Sequence, residues 1–160
     1  MHTILILDGK LKKIVERLEE GQKPILRGPE TVVVDKAGTI YAIARGAKLV
    51  RLDQLQPSKD DPQTLTAKAT IVKDLGGGAP LGGAFTPDGN TLYIADVILG
   101  LIRIRNFHKD PNAKIELVAN TVMDDGTLTK IQFADDVVVG PKTGKIYFSD
   151  GKCIFCSSFW

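Results

Sequence analysis

Histidine is almost missing from this chain: His2 and His108 are the only two in 160 residues. His108 falls in a polar loop, where a surface position is expected rather than general-base duty. No nucleophile elbow, zinc quartet or Ser/His/Asp grouping stands out. Hydrolysis without a histidine would have to lean on a metal-bound water or on metal polarisation of a carbonyl. Cysteine is equally sparse, and Cys153 and Cys156 both sit in the last eight residues. A single CxxC without a second ligand pair or a redox-fold context carries little metal or disulfide meaning. The closing "GKCIFCSSFW" also holds the only Trp and two of the six Phe, so it reads as a foreign end left by truncation or altered splicing.

Long apolar runs are missing too. No stretch approaches the roughly 20 residues that span a bilayer. The opening "MHTILILDG" has only five residues between His2 and Asp8, short of a secretory core of about 7–15. No signal peptide or transmembrane segment is expected in this chain, and its compartment stays open. The net charge of +2 is small and the cations are scattered, so no nucleic-acid partner is expected. Lys10, Lys12 and Lys13 alternate with Leu11 and Ile14 in the manner of a solvated face. With 43% hydrophobic and 25% charged residues, the composition is that of an ordinary globular chain able to bury a core.

What the sequence does have is a repeat. Three segments align: "ETVVVDKAGTIYAIARG" from Glu30, "LGGAFTPDGNTLYIADV" from Leu81 and "DDVVVGPKTGKIYFSDG" from Asp135. Each is a short apolar strand, a Gly-containing turn and a second strand around a tyrosine. Tyr41, Tyr93 and Tyr147 are 52 and 54 residues apart, close to the roughly 40–50 residues of a four-stranded propeller blade. Further strands are expected at 47–53, 69–75, 101–106 and 114–120, bounded by Gly, Pro and Asp. No long helical pattern occurs between residues 28 and 150. Upstream, Leu11, Ile14, Val15 and Leu18 fall at helical spacing, while a strand pair turning at Asp8-Gly9 competes with that reading.

The expected fold is therefore all-β, a partial β-propeller of about two and a half four-stranded blades. It divides into an N-terminal segment at 1–27, the blades at 28–150 and an atypical tail at 151–160. Propellers typically close with four to eight blades, and an open arc leaves strand edges exposed. Either the chain is a fragment, or it pairs with another copy through its open edges, or its ends cover the gap. The fragment reading is preferred.

Aligned on the repeat, Glu30, Leu81 and Asp135 share a place before the first strand of their units. In a propeller such positions converge on the central channel, and carboxylates gathered there would suit Ca²⁺, which takes 6–8 oxygens in flexible geometry. A cation would also explain why Asp135 and Asp136 precede three valines, whose burial is expected to draw the carboxylates inward at a cost. A turn-capping role in water is the alternative. Asp96 and Asp150 form a second aligned pair, with Ala44 in the first repeat, and are read as strand-end carboxylates bonding nearby amides. The run "GGGAPLGG" at 76–83 lacks a phosphate-loop fingerprint and reads as a blade connection.

The phrases "GPETVVVDKAGTIYA", "GAPLGGAFTPDGNTLYIADVILGLIRI" and "FADDVVVGPKTGKIYFSD" resemble the strictosidine synthase-like family, with more distant kinship to gluconolactonases and paraoxonases. The resemblance runs from about Gly28 to Asp150, roughly the first half of a family domain. It implies a six-bladed propeller with a pocket at one mouth of its channel. In metal-binding relatives a Glu in the first phrase and an Asn or Asp in the third are ligands, positions matched here by Glu30 and Asp135. It implies, too, a calcium-assisted hydrolase acting on a small ester or lactone. The catalytic residues are unassigned, because the later blades that supply them in relatives are missing. A non-catalytic binding propeller and an inactive fragment are the alternative readings.

Overall fold

Alternating apolar residues in short runs, punctuated by Gly and Asp, dictate strands rather than helices. The computed structural model describes residues 3–7, 11–61, 63–110 and 112–151, and none of them is helical. The chain divides between Gly77 and Gly78 into two compact units.

The first unit is one six-stranded sheet. Its strands are β1 (Thr3–Leu7), β2 (Leu11–Glu16), β3 (Thr31–Val34), β4 (Ile40–Ala44), β5 (Lys48–Pro57) and β6 (Thr64–Asp74). Their order is β1-β2-β6-β5-β4-β3. Strands β3 to β6 pair antiparallel in sequence order, the plan of a blade. The N-terminal segment is a strand pair, not a helix: β1 and β2 pair antiparallel. β2 then lies parallel to β6, from Lys13 opposite Thr64 to Glu16 opposite Ala67. Helical spacing misleads at Leu18, which is 43% exposed, whereas Ile14, Val15 and Glu16 in succession are all buried. That continuous burial belongs to an interior strand covered on both faces. The Asp8-Gly9 turn lies outside the described residues.

Period two is visible in the core. Ala42 and Ala44 on β4, Val50 and Leu52 on β5, and Ala67 and Ala69 on β6 cluster with Ile14 and Leu26, while Tyr41, Ile43 and Leu49 are buried as well. Each fully buried leucine or isoleucine contributes about 1.5–3 kcal/mol relative to exposure. β5 and β6 run longer than their apolar patterns foretell. The extension carries a register shift between Asp53 and Gln56 with Gln54 at φ 52°. This bulged, polar stretch reads as loop in the sequence because its residues face solvent.

The second unit holds the next blade, β7 (Pro80–Phe85), β8 (Thr91–Asp96), β9 (Gly100–Arg105) and β10 (Ile115–Ala119), paired antiparallel in sequence order. It continues with the hairpin β11 (Thr121–Asp124) and β12 (Thr127–Lys130), then the hairpin β13 (Ala134–Val139) and β14 (Ile146–Asp150). β13 packs beside β7 and β8. Ile131, Ala134 and Val137 thereby join Tyr93, Ala95 and Leu101 in one core. The chain is all-β, with two four-stranded blades and two strands of a third: the makings of a partial propeller.

Candidate functional site

Glu30 is the residue immediately before β3, and its backbone N–H donates to the carbonyl of Ile43 at 3.0 Å, which opens the ladder. Its side chain is exposed. Leu81 and Asp135 sit one step further in, as the second residues of β7 and β13. Glu30 belongs to the first unit and Asp135 to the second.

The two adjacent carboxylates are placed by a bulge. The β13–β14 register shifts between Ala134 and Val137, so Asp135 and Asp136 leave the regular ladder. The Asp136 N–H donates to Ser149 Oγ at 3.1 Å, and Asp136 Oδ1 accepts the Val137 N–H at 2.8 Å. Both aspartates are exposed. Of the three valines after them, only Val137 is buried, while Val138 is 55% exposed. The expectation that strand burial drags the carboxylates inward is thus corrected, because the bulge turns them out and the desolvation cost never arises. Gly82 on β7 makes the neighbourhood possible. A Cβ there would lie 2.5 Å from Asp136 Cα and 2.7 Å from the Asp135 carbonyl, closer than packed atoms approach. Glycine lets β13 settle against β7.

Carboxylate is the hard donor calcium prefers, but two carboxylates fall short of 6–8 oxygens. Among the described residues no three His, Cys, Asp or Glu side chains gather at one point. An ion bound by Glu30 or Asp135 would need backbone carbonyls, waters or further residues to complete its shell.

The second aligned pair serves the backbone. Asp96 is fully buried, and its Oδ1 accepts the N–H groups of Ile98 and Leu99 at 2.9 and 2.8 Å. Among the described residues its Oδ2 has no hydrogen-bond partner, and it faces the space a Gly78 side chain would occupy. Asp150 accepts the Phe133 N–H at 2.7 Å and the Gln132 N–H at 3.2 Å. His108 is exposed on a surface aromatic cluster, stacked on Phe85 with ring centres 5.6 Å apart. The glycine-rich run leads straight into β7, as a blade connection does. His2, Cys153 and Cys156 lie outside the described residues.

Several polar residues escape the sequence pattern. Glu16 is 7% exposed, and its two oxygens accept the N–H groups of Ile25 and Leu26 at 3.0 and 2.8 Å. Asp35 Oδ1 accepts from the N–H groups of Ala37 and Thr39, and its Oδ2 takes the Tyr41 hydroxyl at 3.4 Å. Burial, then the neighbouring Asp35 charge, pushes the Tyr41 phenol up to about 12. In the corresponding turn of the second blade, the Thr86 hydroxyl and the Asn90 amides hold Asp88 down to about 2. Glu116 is held below the usual carboxylate range by Arg105 and Arg103, which it bridges at 2.8 and 2.9 Å.

These antiparallel blades are those of a partial propeller. No protein-family model matches it. Over 78 residues it is 31% identical to the protein strictosidine synthase-like 2 of Arabidopsis thaliana, a match covering 49% of this chain and 19% of that protein. The chain is therefore similar to a strictosidine synthase-like protein over about half its own length, in agreement with the resemblance carried by its three phrases.

Proposed function

We propose that this chain is the N-terminal part of a propeller-type hydrolase of small esters or lactones, with Glu30 and Asp135 contributing oxygens to a calcium site. The observation that carries the reading is the exposed setting of both carboxylates at repeat-related strand starts, Asp135 turned out by its bulge. Bound calcium would polarise a substrate carbonyl. The chain's own part is to hold acceptor oxygens toward solvent while Gly82 and Asp136 fix the bulge. Calorimetric titration of Ca²⁺ into the whole protein tests the site: Glu30→Ala and Asp135→Ala should each weaken binding. Unchanged affinity in both would remove these residues from the proposal.

A binding propeller without catalysis is the second reading, favoured by the placement of His108, one of only two histidines, exposed against the half-buried rings of Phe85 and Phe107. Metal-dependent turnover in a screen of aryl esters and lactones would exclude it. An inactive fragment would show neither binding nor turnover.

A further inference from the structure

A cleft of about 270 Å³ opens where the chain leaves β2, lined by Arg17, Glu19, Gln22, Gln54, Lys68 and Ala69. All six residues belong to the first unit, so its walls are complete within that unit. Five of the six are polar and two are cations. Neutral groups hold Arg17 in place. Its Nη2 donates to the Gln54 carbonyl and to Gln56 Oε1 at 3.2 Å each, and to Thr66 Oγ1 at 3.4 Å. A guanidinium has five N–H donors, and this anchor engages one nitrogen, leaving the N–H groups of Nε and Nη1 to give. Among the described residues neither Arg17 nor Lys68 makes an ion pair. Asp53, which faces Lys68 across the β5–β6 ladder, is engaged by Arg51 at 2.8 Å. The backbone is bent to supply the anchor. Gln54 lies in the bulge between Asp53 and Gln56 at φ 52°, a left-handed conformation that costs a non-glycine residue free energy and recurs where a chain clamps a ligand.

We propose that this cleft binds a small oxyanion, a carboxylate or a phosphate, received by the open N–H edge of Arg17 and the Lys68 ammonium. A planar guanidinium meets either anion with two parallel hydrogen bonds, and Lys68 adds a point charge. Gln22 Oε1 accepts the Glu19 N–H at 3.1 Å, so its amide keeps two donors for the ligand. Glu19 narrows the choice, since its carboxylate repels a ligand charged along its whole length and accepts from a hydroxyl or ammonium. The volume falls below the roughly 300–1,000 Å³ of drug-sized sites, which suits an anion of a few heavy atoms and is too small for a nucleotide.

Amide NMR titrations of the whole chain with sodium phosphate and, separately, sodium acetate test this, with chloride holding the ionic strength constant. The expected result is saturable shifts centred on residues 17–22, 54 and 68–69 with at least one anion. Whichever saturates at the lower concentration identifies the ligand chemistry. Lys68→Ala, at an exposed position, should weaken that binding on the order of fivefold. Arg17→Lys, which keeps the charge and loses the fork, should weaken it on the order of tenfold. Shifts that grow linearly with both anions and never saturate would overturn the proposal. So would saturable binding that Lys68→Ala leaves at the parent affinity, which would place the anion elsewhere.

Discussion

Tyr41 and Asp35 illustrate how one residue pair ties a turn to the core behind it. The carboxylate holds two turn amides and faces the Tyr41 hydroxyl, so a phenolate there would meet both burial and a like charge. The ordinary phenol value is 10.0 and the folded value is about 12. The neutral form is favoured in the fold, so this contribution is fully present below pH 10 and is lost as pH rises toward 12. Denaturation measured across that window should show stability falling with pH, and Tyr41→Phe should flatten the fall. An unchanged slope in the variant would assign it to another group. The same scale explains Gly82, where the close approach of β13 leaves no room for a side chain. Sequence marks such a glycine only as a turn or strand weakener, since the atom it must avoid is more than 50 residues away.

At the scale of elements, the alternation of apolar residues made the blades legible. β3, β4, β8 and β14 fall within the three aligned phrases, and β7 and β13 begin one residue before theirs, because inward residues at every second position specify a strand wherever they occur. β2 was ambiguous for a physical reason: a strand buried on both faces has no alternation, and its apolar residues mimic a helical stripe. The β11–β12 hairpin carried its own signal in Asp125-Gly126, whose φ values of 43° and 78° are those of a primed turn. Its flanking Met123 and Leu128 are 70% and 66% exposed, so no core pattern drew notice to it. Glu16 was not legible at all, since nothing in "LKKIVE" foretells that a carboxylate will clamp two amides ten residues on. Glu16→Ala should cost about 1–3 kcal/mol by leaving those amides unsatisfied, with Glu16→Gln falling between it and the parent. Urea denaturation would decide, and a loss near zero would mean that water replaces the carboxylate.

Considered as a whole molecule, the chain is similar to a strictosidine synthase-like protein over 78 residues, and the three phrases point to the same resemblance. Of the candidate site, the sequence offers Glu30 and Asp135 as repeat equivalents. Their exposure is not legible there, because the bulge that frees Asp135 lies in the pairing of β13 with β14, and the room beside it depends on Gly82 of the neighbouring sheet. The outermost hairpin of the first unit leads elsewhere. β2 reaches its place by parallel pairing with β6, with Ile14 fully buried and the Arg17 N–H donating to Ala67 at 2.7 Å. The covalent link through the exposed residues 18–23 is therefore not what holds it there. Protein nicked in that stretch should keep its severed leading peptide through gel filtration and release it only in denaturant. Such a peptide, supplied separately to a chain that begins after the nick, would return to its berth as a self-assembling tag.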